Sequence, residues 1–382
     1  MRLNKIFLIL IIILFTSFYL GHNPIKTYAD ELSDTVNDQL NNLDFSNIDG
    51  FLSEINSDFN FKDFVKQVVN GETVLDVNSF LNIITTSFLY NIKSFLPDLL
   101  SIIIISLIYK IISEFFSDLD NTKNVIYFIT IASILIITSK SILTAFSLTK
   151  KCIESVSKVI NVASPIILTL MISSGSTASA TVYQPTVVYL INFITSFILY
   201  AVLPLAKISF IFTLLNSLTD DIKFNSFINF FNGLIKTGLG ILFAIFTLFI
   251  TLQGITSASY DGIYLRATKY AISNSIPIIG SYLSGGFDLV VAGSVLIKNA
   301  VGVGTLIIII LSILKPITYL ICLSIVLKLS ASIVEIVSDD KISKSLLSVN
   351  NVTKTLNISI GSIGLMTFIF IILLLITAGA YI

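Results

Sequence analysis

Residues 287–313 read FDLVVAGSVLIKNAVGVGTLIIIILSI, with only Asp288 and Lys298 charged. A helix needs about 20 apolar residues to cross the ~30 Å hydrocarbon layer of a bilayer, so this stretch is long enough to span. Comparable runs lie at 96–116, 124–148, 156–174, 183–215, 233–255, 316–337 and 357–379, giving about eight spans. Composition agrees. Hydrophobic residues fill 54% of 382 positions, charged residues 12%, and the mean hydropathy is +0.93. A soluble domain carries about 25% charged residues. So many apolar side chains cannot hide in one aqueous core, and lipid must be the main solvent. The expected fold class is an all-α, polytopic α-helical membrane protein, spanning 95–382, with a small helical extracytoplasmic segment before it.

Two spans are irregular. The run 183–215 is too long for one straight crossing and contains Pro185 and Pro204, which remove backbone donors and bend helices. The run 156–174 is short and carries Lys158, Asn161, Ser164 and Pro165.

Upstream, Arg2 and Lys5 precede the apolar run Ile6 to Leu20, and Thr27-Tyr28-Ala29 offers small residues at the exit. This is the pattern of a signal peptide over 1–29, cleaved after Ala29. The bland alternative is an uncleaved first membrane helix. From Asp30 to Ile92, eleven acidic residues face only Lys62 and Lys66, a net charge of minus nine. The segment 30–94 is therefore expected outside the cytoplasm. Its apolar positions (Val36, Leu40 and Leu43; Ile48, Phe51, Leu52, Ile55 and Phe59; Phe61, Phe64, Val65 and Val68) recur at helical spacing. They predict short amphipathic helices forming a collar, packed on itself or on partner subunits. Counting spans from there puts 256–286, with Arg266 and Lys269, and 338–356 in the cytoplasm, as the positive-inside tendency asks. It also puts Lys150, Lys151 and Lys158 outside, against that tendency.

Catalysis has little to stand on. The only histidine, His22, lies in the signal, so no His base or Ser-His-Asp triad is expected in the mature chain. Cys152 and Cys322 have no neighbours at metal-ligand spacing, and no phosphate-cradling G-x-x-x-x-G-K-[ST] loop occurs. No enzyme activity, metal, cofactor or nucleic-acid partner is expected.

The chemistry concentrates in polar interruptions. Ser173 to Ala180, centred on Gly175, joins two spans with almost no side-chain bulk. A second stretch from Gln253 to Asp288 holds Asp261, Arg266, Lys269, Pro277, Gly285 and Gly286. Its apolar piece is too short to cross, so 270–286 reads as a cytoplasmic loop or a re-entrant half-helix, and 156–175 as a possible broken segment. The two regions also align. Lys158, Pro165 and Ser174-Gly175 match Lys269, Pro277 and Gly285-Gly286. With three predicted crossings between them, the copies would be antiparallel, the arrangement that marks transporter pathways. Lys298, followed by Asn299, sits mid-span, where a charge costs roughly 2.5–3.5 kcal/mol. It should face protein or water, with Glu154 or Glu335 as counter-charge; Asp288 is three turns away.

The run Gln253-Gly254, Asp261-Gly262-Ile263, Leu265-Arg266, Lys269, Ile276-Pro277 and Gly280, continuing into Val295 to Gly302, resembles the stage III sporulation protein AE family of endospore-forming Firmicutes. The Gly175 turn before Pro185 fits too, and the Ile/Asn/Lys bias resembles clostridial chains. The resemblance implies a sporulation-specific subunit of a secretion-like channel joining mother cell and forespore, needed for late forespore development. It would lie in the mother-cell membrane around the forespore, its N-terminal segment in the intermembrane space. Implied partners are the other stage III sporulation A-operon proteins (an ATPase and ring-forming subunits) and stage II sporulation protein Q; beside them, the lipid bilayer and further copies of the chain, in a homo-oligomeric ring around a Gly/Ser-lined path, are expected. The alternatives are a stand-alone secondary permease for a small solute or ion, and a scaffold whose polar interruptions only pack.

Overall fold

The computed structural model describes residues 29–54, 60–72, 77–116, 120–219, 223–275 and 280–377. The signal segment and Pro277 lie outside these residues.

Three short helices come first: α1 (Ala29–Asn41), α2 (Ser46–Glu54) and α3 (Phe61–Val69). The membrane part follows as α4 (Val77–Phe115), α5 (Asp120–Ser173), α6 (Thr177–Thr186), α7 (Asn192–Phe197), α8 (Leu203–Leu218), α9 (Asn225–Ser275), α10 (Gly280–Val337) and α11 (Asp340–Thr377). Two π-helical stretches, Val187–Ile191 and Ile198–Val202, join α6, α7 and α8 into one irregular crossing. The described residues thus hold six segments long and apolar enough to span.

The number six corrects the expected eight. The runs 124–148 and 156–174 are one helix, α5, and the runs 287–313 and 316–337 are one helix, α10. The segment 156–175 is accordingly not broken before Ser173. Charges that read as loops are carried on continuous helix. Lys150 pairs with Glu154 one turn on at 3.7 Å, so neither needs a loop to reach water. Glu154 is therefore not the counter-charge of Lys298, and Pro165 and Pro316 lie inside helices.

Recounting moves one segment to the other side. The irregular crossing runs antiparallel to α5, with Tyr127 near Ser217 and Asn161 donating to Asn192 at 3.1 Å. Helix α9 runs antiparallel to that crossing, with Ser209 donating to Asn232 at 3.0 Å and Gly238 against Phe197. Helices α5 and α9 are therefore parallel, and the two matched regions do not form an inverted pair. The α9–α10 connection also lies at the same end as the acidic segment, not opposite it. Gln39 of α1 donates to the Val290 carbonyl at 3.1 Å and packs with Val36 on Gly293.

The acidic segment folds as the predicted stripe requires. Val36, Leu40, Ile48, Leu52, Phe61, Phe64 and Val65 are buried. They cover α10 and α5 of the same chain, with Phe61 and Phe64 against Gly304. Asn60 caps α3 by accepting from the Asp63 N–H at 3.2 Å.

Outward faces of α4 and α9 expose Leu100, Ile104, Ile108, Phe230, Ile241 and Leu248, a lipid-facing coat. Helix α11 is the most enclosed, with 67% of its apolar window buried against 22% for α4. Hydroxyls survive inside because they bond back to their own helix. Thr149 donates to the Ala145 carbonyl, Thr305 to Val301 and Thr367 to Ile363, each at 2.8 Å.

Candidate functional site: helix ends joined by Asp261 and Lys298

Helix α5 stops at a backbone motif. The Ser176 N–H reaches the Met171 carbonyl at 2.9 Å and the Gly175 N–H reaches Ile172 at 3.0 Å. Such paired bonds close a helix when the residue after its end is left-handed, and Gly175 has φ +82°. A side chain at Gly175 would also run into the Leu265 Cδ1 of α9.

Helix α6 starts at Thr177, and α9 supplies a cap for it. Asp261 Oδ1 accepts the Ala178 N–H at 2.9 Å and the Ser179 N–H at 3.2 Å. Carboxylates suit that position because first-turn N–H groups are unpaired and the helix end is partly positive. Asp261 is 2% exposed, and its Oδ2 has no hydrogen-bond partner among the described residues.

Lys298 binds the backbone of α11. It is fully buried, and its Nζ donates to the Leu375 carbonyl at 2.7 Å and more weakly to Leu374 at 3.5 Å. Both carbonyls lie within three residues of Thr377, the last residue described in α11. Lys298 thus takes carbonyl partners rather than Glu154 or Glu335, and Glu335 is exposed. Gly302, one turn on, leaves room for the Leu375 side chain. Tyr183 of α6 closes the group, its hydroxyl 3.3 Å from Thr377 Oγ1 and its ring edge-on to Phe370.

The remaining candidates divide. Lys269 and Asp288 form an ion pair at 2.6 Å across the α9–α10 connection, both part-exposed. Arg266, Asn299, Gly285 and Gly286 are exposed, and Pro165 is exposed on α5. They share one end of the bundle with Asp261 and Lys298 but do not line a common cavity with them. The crevice nearby is lined by Ile48, Val159, Val162, Ala163, Thr305 and Ile308, almost wholly apolar. Tyr183 and Gln39 were not foreseen. Gln39 could have been, since it lies one turn from Val36 on the apolar stripe. Among the described residues no three His, Cys, Asp or Glu side chains gather as metal ligands.

A family model for stage III sporulation protein AE matches residues 59–379. The stage III sporulation protein AE of Bacillus subtilis (strain 168) is 25% identical over 277 residues, covering 72% of this chain and 69% of that protein. No solved structure matches. The match begins just before α3 and runs through α11, so it takes in Asp261, Lys298 and all six apolar segments. The chain is a multi-pass membrane protein with a role in sporulation, and it belongs to the stage III sporulation protein AE family.

Proposed function

We propose that the chain is a membrane subunit of a channel complex joining mother cell and forespore, and that it acts as the complex's assembly core or conducting part. The observation that carries this reading is the family match running through the six-helix bundle together with the capped end beside the acidic helices. In this reading the protein sits in the mother-cell membrane, with α1–α3 and the bundle end that holds Asp261 and Lys298 in the intermembrane space. Its partners there are the other A-operon proteins and stage II sporulation protein Q, and it works without a catalytic residue or cofactor.

Support comes from where the protein places its polar chemistry. Asp261 holds the first turn of α6 and Lys298 holds carbonyls of α11, so two buried polar side chains tie neighbouring helices together at one face of the bundle. A face held by such ties suits attachment to other subunits.

The test is made in sporulating cells. A strain lacking the chain should engulf the forespore and then fail in late forespore gene expression, and wild-type chain should restore it. Undisturbed late expression would overturn the reading. Reconstitution addresses the permease alternative: the purified protein alone should pass no small solute or ion into liposomes, and flux by the lone protein would favour the permease.

A further inference from the structure

We propose that α6 is a hinged segment latched to α9 by Asp261, able to swing free while the helices below it stay in place. Three features on one stretch of chain lead there.

The first is the pivot. Below α6 the chain enters the π-helical stretch Val187–Ile191, and a second follows at Ile198–Val202. Such wide turns replace ordinary helical bonds and mark bends, often where proteins move. Pro185 adds a missing N–H just above the first one.

The second is the fixed base. Immediately below the first π-helical stretch, Asn192 accepts from Asn161 of α5 at 3.1 Å. Further down, Ser209 of α8 donates to Asn232 of α9 at 3.0 Å. Both ties hold the crossing beneath the pivot. Above it, the Gly175 turn links α6 to α5 through residues with little side-chain bulk.

The third is the latch. Asp261 holds the first turn of α6 through the N–H groups of Ala178 and Ser179. Tyr183 adds a polar tie, to Thr377 at 3.3 Å. In the latched state Asp261 Oδ2 and Ser179 Oγ are both buried without hydrogen-bond partners among the described residues. Unpaired buried polar atoms oppose the state that buries them. The closed arrangement is therefore opposed by two orphaned atoms, which an element with a second state can relieve on opening.

The test uses the whole chain in liposomes and three buried thiols in one molecule. Ser179→Cys places a thiol at the latch, while native Cys152 and Cys322 report on α5 and α10. Maleimide labelling is followed at each site by peptide mass spectrometry. Adding Asp261→Ala should speed labelling at position 179 by roughly 2- to 30-fold, the range that loss of an N-cap translates into. Rates at Cys152 and Cys322 should not change. Asp261→Asn, which caps about as well as Asp, should keep the slow rate. The proposal fails if position 179 labels no faster in Asp261→Ala, or if all three thiols accelerate together, which would mean general loosening. It also fails if Asp261→Asn accelerates labelling as much as Asp261→Ala.

Discussion

Gly302→Ala is the sharpest check on how α10 and α11 fit. A Cβ at this position meets Leu375 Cδ2 in outright overlap, with Cγ at 2.9 Å and Cδ1 at 3.1 Å. The whole end of the leucine must shift, and the Leu375 carbonyl is the main acceptor for Lys298. Overpacking of this kind costs about 1–3 kcal/mol. Against it stands a gain of about 1 kcal/mol for replacing Gly by Ala inside a helix. The net loss should be about 1 kcal/mol, a fall on the order of 1–2 °C in melting temperature for a chain of this size. Gly240→Ala on α9 provides the control, since a Cβ there meets nothing within 4 Å; it should melt no lower than the parent. Leu375→Ala should destabilise alone yet lose less when combined with Gly302→Ala, a favourable coupling of about 1 kcal/mol. The chain has no tryptophan, but Cys152 and Cys322 are only 3% and 0% exposed, so a thiol-reactive dye reads unfolding in detergent directly. If Gly302→Ala melts as high as Gly240→Ala, and Leu375→Ala shows no coupling, the close seating of these helices is wrong.

Other predictions use the same thermal assay or simple labelling. Lys298→Met should cost less than the ~1.5–3 kcal/mol that bonds from a charged donor are worth, because the cost of burying the charge is removed with them. Lys298→Glu should be far worse, since it turns an anion toward the two carbonyls of Leu374 and Leu375. Gly175→Ala should destabilise by at least about 1 kcal/mol, from its positive φ and the Leu265 overlap together. Lys269→Gln should cost under about 1 kcal/mol and lose even that at high salt, as a part-exposed ion pair does. Cysteines at Asp63 and Gly286 should react with an impermeant reagent from the same face of a sealed vesicle, and one at Asp340 only from the opposite face; Asp63 and Gly286 on opposite faces would refute the six-crossing count.

Composition alone carried the fold class, because no arrangement in water could hide so much apolar surface. The amphipathic stripes of the acidic segment were equally legible, and Val36, Leu40, Phe61 and Phe64 are buried as the spacing required. Helix continuity was not. Lys150-Lys151 reads as the end of a span, yet a helix leaving the hydrocarbon keeps its internal bonds and tolerates charges on its exposed side. Pro316 likewise reads as a break but sits inside α10. Gly175 was legible as a turn, since a left-handed residue at a helix end favours glycine. The partners of Lys298 and Asp261 were out of reach for one reason. Both bind backbone atoms, 77 and 83 residues away in sequence, and a main-chain carbonyl or N–H leaves no mark on residue identity.

The unbroken helices set a length scale. At ~1.5 Å per residue, α5, α9 and α10 with 54, 51 and 58 residues are each about 80 Å long. Hydrocarbon accounts for about 30 Å of that. Even with tilt, much of each rod must stand clear of the bilayer, and the acidic helices brace the end at which Asp261 and Lys298 lie. The molecule is then a stand-off post as well as a membrane span. Whatever docks at its tip is held at a distance fixed by the number of helical turns. Removing whole turns from α5, α9 and α10 together should bring that partner closer by about 5 Å for each turn.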